Sequence, residues 1–230
     1  MQQSLENLLK ELHYYPHYFR ACHLRKYLSP LHIKVLQDAK LLVRGDDLRE
    51  MVCANCDINH FTQVYYEGGK CYCKCLNASS ISLLTEDDIA TWHFDVDSLL
   101  RLMANGLSLK DEIEDLAIPG LWQLGFFIRE GTRHYCYYYQ GNNFVEAEKW
   151  IKKQPAQFRY IVLTNKQESC QEVTVYNNFL SIQITDIISL KQKKIRIDEK
   201  AFDQHCIYGF RAVIFRKNGE ILVNGKRIAT

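Results

Sequence analysis

Five of the nine cysteines of this 230-residue chain lie between positions 53 and 75, and this cluster constrains the fold more than any other feature. Cys53 and Cys56 have the two-residue spacing with which a tight turn presents two thiols to one metal ion. Three more thiols follow at alternate positions, at Cys71, Cys73 and Cys75. Alternate residues of a strand share a face, so these three side chains are expected to point the same way. A local cluster of this kind favours a metal site over a disulfide framework.

The segment between the two cysteine groups predicts a β-hairpin. Residues 61–67 are rich in β-branched and aromatic types, Gly68-Gly69 is typical of a tight turn, and residues 70–75 provide the returning strand. The hairpin brings its two ends together, and both ends carry thiols. This arrangement resembles a zinc ribbon over residues 53–75, which implies one structural zinc ion. The second half departs from the ribbon pattern, because its thiols alternate along a strand and do not repeat the two-residue spacing.

Several ligand sets satisfy a tetrahedral zinc ion. We expect four thiols from the two groups to hold it, namely Cys53, Cys56, Cys73 and Cys75. His60 is the leading substitute ligand, and Cys71 is the next. An iron–sulfur cluster also uses four thiolates, but short spacings on a two-stranded hairpin favour a single ion. A redox pair at Cys53 and Cys56 would lack the helix that follows such pairs in thioredoxin-like proteins. Four protein ligands leave no position for water, so zinc is expected to be structural and not catalytic.

The remaining patterns predict an α+β fold in two domains. Residues 1–118 are expected to form a helical region that carries the zinc segment, residues 51–84. One helix is predicted over residues 5–12, another begins at Ser29-Pro30, and Thr85 with Asp88 predicts a further helix start. Residues 119–230 are expected to form a mixed β-sheet domain with one or two helices. Residues 144–152 are predicted to be helical, and Asn218-Gly219 predicts the turn of a hairpin. The tyrosine-rich segment 135–139 is interpreted as a buried strand, although exposed rings there would instead suit base stacking.

Charge is distributed unevenly along the chain. Residues 1–150 contain 15 lysines and arginines against 20 acidic residues, whereas residues 151–230 contain 14 against 7. The surplus of basic residues over residues 151–230 favours contact with the phosphates of a nucleic acid. Solvated lysine-rich loops are the alternative interpretation of this surplus. The candidate phosphate-binding residues are Lys191, Lys193, Lys194, Arg196, Arg216 and Lys217.

No strong catalytic motif is present, so the leading hypothesis is a non-enzymatic, zinc-containing nucleic-acid-binding or regulatory protein. A second hypothesis is a protein-interaction adaptor, which predicts an exposed apolar patch. A third is a nuclease-like enzyme that uses a divalent metal with acidic residues such as Asp186, Asp198 and Glu199. No run of about 18 apolar residues and no signal peptide is seen, so a cytoplasmic protein with no membrane span is expected. The last residues follow directly on a predicted strand, which suggests that the chain continues in a longer protein.

Overall fold

Helices and strands are both present in the described part of the chain, and the strands form antiparallel and mixed sheets, so the α+β class is confirmed. The computed structural model describes residues 19–20, 24–26, 28–53, 60–75, 77, 79–141, 144–165, 178–191, 194–210, 213–215, 221–223 and 226–229. The chain divides into two units that part between Val96 and Asp97, ahead of the boundary expected at residue 118. None of the described helices is long and apolar enough to cross a membrane.

The first unit consists mainly of strands. Its elements, in chain order, are β1 (Phe19–Arg20), α1 (Pro30–Asp38), β2 (Leu42–Arg44), β3 (Glu50–Val52), β4 (Phe61–Glu67), β5 (Lys70–Cys75), β6 (Ser80–Leu84), α2 (Glu86–Ile89) and β7 (Thr91–Phe94). One antiparallel sheet has the order β1-β7-β2, and the four-stranded sheet has the order β3-β4-β5-β6. The expected helical character is therefore not supported in the described part of this unit, and the helix predicted over residues 5–12 lies outside the described residues. Short strands that pair across the sequence give only a weak local signal.

Two helix starts follow the capping patterns in the sequence. Ser29 caps α1, since its hydroxyl accepts a hydrogen bond from the His32 backbone N–H at 3.3 Å, and Pro30 occupies the first helical position. Thr85 precedes α2, and its backbone N–H donates to Asp88 Oδ2 at 2.7 Å. The Thr85 hydroxyl also donates to this carboxylate at 2.6 Å, and the two hydrogen bonds lower the pKa of Asp88 below its usual value. Both caps confirm sequence predictions.

The second unit is built around a five-stranded sheet. Its elements are α3 (Val96–Gly106), β8 (Glu114–Asp115), β9 (Leu121–Arg129), β10 (Thr132–Tyr139), α4 (Phe144–Lys152), β11 (Arg159–Thr164), β12 (Phe179–Gln183), α5 (Ile184–Ile187), β13 (Ile188–Lys191), β14 (Lys194–Ile197), α6 (Glu199–Gly209), β15 (Val213–Phe215), β16 (Ile221–Val223) and β17 (Lys226–Ala229). The main sheet has the order β12-β11-β10-β9-β8. Its β10, β11 and β12 run parallel, and α4 connects β10 to β11 as a crossover helix.

A dense apolar core lies between this sheet and α4. Its fully or almost fully buried members are Leu121, Tyr137, Tyr139, Phe144, Ala147, Ile151, Tyr160 and Val162. Tyr138 is also buried, and its hydroxyl donates to Asn165 Oδ1 at 3.1 Å. The interpretation of the tyrosine-rich strand as core is therefore confirmed, and these rings are not an exposed stacking platform.

A bulge bends β9 at its centre. Cys136 lies opposite Gly125 and Tyr137 lies opposite Gln123, so Leu124 is an extra residue in the ladder. Gly125 has φ +126°, and a Cβ atom there would collide with the backbone carbonyl of Lys110. Only glycine suits this position, because both the backbone angle and the space exclude a side chain.

Candidate metal centre

One end of the four-stranded sheet collects the ligand side chains. Cys53 follows β3 directly and His60 precedes β4, and the Cys53 N–H donates to the His60 carbonyl at 2.9 Å. This bond extends the β3–β4 ladder by one pair, so the two side chains face the same side of the sheet. Cys75 is the last residue of β5, which pairs with the other edge of β4. Three strands thus bring one ligand residue each to the same end of the sheet.

The three potential ligand atoms are close together. The two sulfur atoms and a ring nitrogen of His60 all lie within 4.8 Å of one another, and Cys75 Sγ is 3.8 Å from His60 Nε2. Cys53 and Cys75 are buried, whereas His60 is half-buried. The described cysteines form no disulfide with one another. The structure therefore contains a cluster of two thiols and one imidazole that is able to hold a metal ion.

The donor set and its spacing fit a tetrahedral zinc ion. Zinc–sulfur and zinc–nitrogen bonds of about 2.3 and 2.0 Å place neighbouring ligand atoms about 3.5–3.8 Å apart. The distance from Cys75 Sγ to His60 Nε2 already matches this value. Thiolate and imidazole are the ligands that zinc prefers, whereas calcium and magnesium prefer oxygen. Three of the four ligands that a tetrahedral ion needs are thus available among the described side chains.

Some of the predicted ligands lie in the cluster, some lie outside it, and one is not among the described residues. The structure brings Cys53 and Cys75 together with His60, which the sequence offered only as a substitute. Cys73 is buried on the same face as Cys75 but lies outside the cluster, because residues two apart on a strand are separated by about 6.6 Å. Cys71 is one further step away and half-buried. Cys56 lies outside the described residues, so its part in the ligand set remains a prediction.

The alternation of residues along β4 is a sequence signal that indicates His60 as a ligand. Thr62 and Val64 are the buried residues of β4, and alternation places His60 on that same inner face. The two candidates Cys73 and Cys75 share this face too, so periodicity alone does not separate them. Only the register decides between them, since Val64 pairs with Cys73 and this places Cys75 nearer the end of the sheet that carries His60.

The candidate phosphate-binding residues are only partly described. Lys191 and Lys194 form a register pair across the β13–β14 hairpin, and Arg196 faces Ser189. Lys194 and Arg196 are exposed, and their alternate positions put both side chains on one face of β14. The Lys191 side chain and the whole of Lys193, Arg216 and Lys217 lie outside the described part of the chain.

The acidic residues considered for a nuclease do not form a metal cluster in the described part of the chain. Asp198 precedes α6 and caps it, since Asp198 Oδ1 accepts from the Ala201 N–H at 3.1 Å. Asp186 is exposed on α5, 3.9 Å from His205 Nε2. The Asp198 carboxylate is therefore engaged by a helix terminus, which explains its place in the sequence.

Comparison with known proteins gives no relative from which to infer a function. No protein-family model matches this chain, and no curated protein or solved structure shows significant similarity to it. The function must therefore be argued from the site itself.

Proposed function

We propose that this chain is a non-enzymatic nucleic-acid-binding protein whose first unit is stabilised by a structural zinc ion. Cys53, His60 and Cys75 supply three ligands, and the two-residue spacing makes Cys56 the fourth. Such a closed site has no coordination position for water, which favours a structural over a catalytic role. Thiolate ligands of this kind suit a reducing compartment such as the cytoplasm.

The observation that carries the nucleic-acid assignment is the exposed basic strand β14. Lys194 and Arg196 project from one face of β14, in a region with 14 basic residues against 7 acidic ones. No described acidic side chain forms an ion pair with either residue, and both cations face solvent. Lysine and arginine in this arrangement supply affinity for phosphates without sequence preference.

Fluorescence anisotropy tests this proposal directly. Zinc-loaded protein would be titrated into labelled duplex and single-stranded DNA and RNA, at low and at physiological salt. We expect binding that weakens steeply with salt, because each neutralised phosphate releases a counterion. The double variant K194A/R196A should reduce the slope of log K against log salt by about 2.

A charge-matched variant provides the control. Lys26 and Lys34 are exposed in the first unit, so K26A/K34A removes the same charge from a different surface. If both double variants lowered the affinity for nucleic acid equally, the effect would follow net charge alone. The assignment of β14 as the binding surface would then be wrong. Absence of binding to every nucleic acid at low salt would refute the proposed function.

A further inference from the structure

The four-stranded sheet carries an unusual number of large apolar side chains on the face opposite the metal cluster. Alternation places Phe61 and Tyr65 of β4 on this outer face, whereas Thr62 and Val64 face inward. Phe61 is 72% exposed and Tyr65 is 42% exposed. Ile81 and Leu83 of β6 lie on the same face, with exposures of 64% and 72%. Contiguous exposed apolar groups of this kind mark an interaction surface.

The strand register arranges these side chains in rows across the sheet. Tyr65 pairs with Tyr72, and Tyr72 pairs with Leu83. The Tyr65 and Tyr72 rings stack with their centroids 5.5 Å apart and their planes at 19°. In the neighbouring row Lys74 pairs with Ile81. The outer face therefore presents flat rings with a cation beside them.

An exposed cation, Lys74, lies on this face in the row next to the stacked tyrosines. Lys74 is exposed, and no described acidic side chain forms an ion pair with it. Lys70 and Glu67 pair across the hairpin end, so their charges offset each other. Glu67 also accepts a hydrogen bond from the Tyr72 hydroxyl at 3.1 Å, which fixes the orientation of this ring. Glu50 of β3 pairs with Gln63 of β4 and brings an exposed carboxylate to the same face. Lys74 therefore serves a phosphate through its position beside the stacked tyrosines, and not through a net positive charge of the face.

We infer that this outer face binds single-stranded nucleic acid, with bases stacked on Phe61 and Tyr65 and a phosphate held by Lys74. Exposed aromatic rings on a sheet, with lysine close by, are the chemistry that recognises unpaired bases and their backbone. A duplex keeps its base faces inside its own stack and offers no ring surface to these side chains. This inference rests on the proposed function, and it assigns single strands to the first unit.

The test exploits two adjacent tyrosines that point to opposite faces. Tyr65 lies on the outer face, and Tyr66 is on the inner face with a similar exposure of 54%. Zinc-loaded Y65L, F61L and Y66L proteins would be titrated with a fluorescein-labelled oligothymidylate and with a labelled duplex. Zinc content and circular dichroism would verify that each variant is folded. We expect Y65L and F61L to weaken single-strand binding about tenfold each, the range for loss of one base–aromatic stack, and Y66L to change it less than twofold.

The possible outcomes separate this inference from the proposed function. Single-strand binding that Y65L and F61L leave unchanged, or that Y66L weakens equally, would overturn the outer-face site while nucleic-acid binding itself stood. No binding of either oligonucleotide at low salt would refute the proposed function and this inference together. If Y65L and F61L change only the sedimentation coefficient, the face is a protein-docking surface and the inference is wrong.

Discussion

The five-stranded sheet of the second unit and the four-stranded sheet of the first unit bury very different amounts of apolar surface. The second unit buries a contiguous core of aromatic and aliphatic side chains between a five-stranded sheet and α4. In the four-stranded sheet of the first unit, the buried positions of β4 and β5 are few, namely Thr62, Val64, Cys73 and Cys75. Its opposite face leaves large apolar side chains in solvent. A sheet that buries so little apolar surface needs another source of free energy, and in the proposed function a bound zinc ion is that source.

Substitution of a zinc ligand should produce the largest difference between the units. We expect Cys75→Ser to abolish stoichiometric zinc binding and to unfold the four-stranded sheet, because structural zinc contributes about 10–16 kcal/mol, as much as a whole domain's stability. Elemental analysis would measure the zinc. Hydrogen exchange should show lost protection over residues 61–84 and retained protection over residues 132–164.

Cys71→Ser is the matched control, since Cys71 lies on the same strand but outside the cluster. Full zinc content in C75S, or equal loss in C71S, would contradict the assigned ligand set.

A cavity in the core of the second unit should destabilise that unit and leave zinc binding unchanged. This loss of stability should be smaller than the loss caused by removing a zinc ligand. Leu121 is fully buried in the core, so Leu121→Ala should lower the free energy of unfolding by about 2–5 kcal/mol, through lost transfer free energy and the cavity left behind. Urea unfolding, with hydrogen exchange over residues 132–164 as the probe, would measure this loss of unfolding free energy. Zinc content should stay at one ion per chain, and its loss in L121A would show that the two units do not fold independently.

A buried histidine should make the stability of the second unit depend on pH. His134 is fully buried in β10, with its Nδ1 3.0 Å from the Thr132 carbonyl oxygen and its Nε2 3.4 Å from Arg159 Nη1. Burial lowers the pKa of His134 below 6.5, and the hydrogen bond to the Thr132 carbonyl opposes this effect. The charges of Arg159 and Arg129 lower the pKa further, against a smaller opposing effect of Glu130. The ring also stacks on Phe127, with centroids 4.8 Å apart.

Because the folded-state pKa is the lower one, His134 should destabilise the second unit as the pH falls. The unfolded chain takes up the proton first, so the stabilisation is complete above pH 6.5 and is lost below it, at up to about 1.4 kcal/mol per pH unit. Urea midpoints for residues 132–164 at pH 7.5 and pH 5.5 would measure the slope. His134→Phe keeps an aromatic ring against Phe127 but removes the titrating group. This variant should therefore reduce the slope of stability against pH. An unchanged slope in H134F would assign the pH dependence to another group.

The sequence predicted elements well where the signal is local. The hairpin of β4 and β5, its Gly68-Gly69 turn, helix α4 and the caps at Ser29 and Thr85 follow from residue types within a few positions. The β15–β16 pairing was also predicted from the Asn-Gly turn signal between the two strands. These features depend on backbone preferences that neighbouring residues determine.

Features that depend on distant residues were less accessible. Alternation showed that Cys71, Cys73 and Cys75 share a face, but only the pairing of three strands shows which sulfur meets Cys53 and His60. The short strands β2, β3 and β7 pair with partners elsewhere in the chain, so the first unit was expected to be more helical than it is. Register is a property of the assembled sheet, and composition does not contain it.

The Gly68-Gly69 turn has a consequence for how this chain can vary during evolution. Both glycines have positive φ, +57° and +74°, and no atom lies within 4 Å of the position of an added Cβ. An exposed turn of this kind normally tolerates insertions and deletions. Here one extra residue would shift β5 by one position and exchange its faces, turning Cys75 outward and Lys74 inward. We therefore expect homologues to vary the surrounding side chains freely while the length of this turn stays fixed.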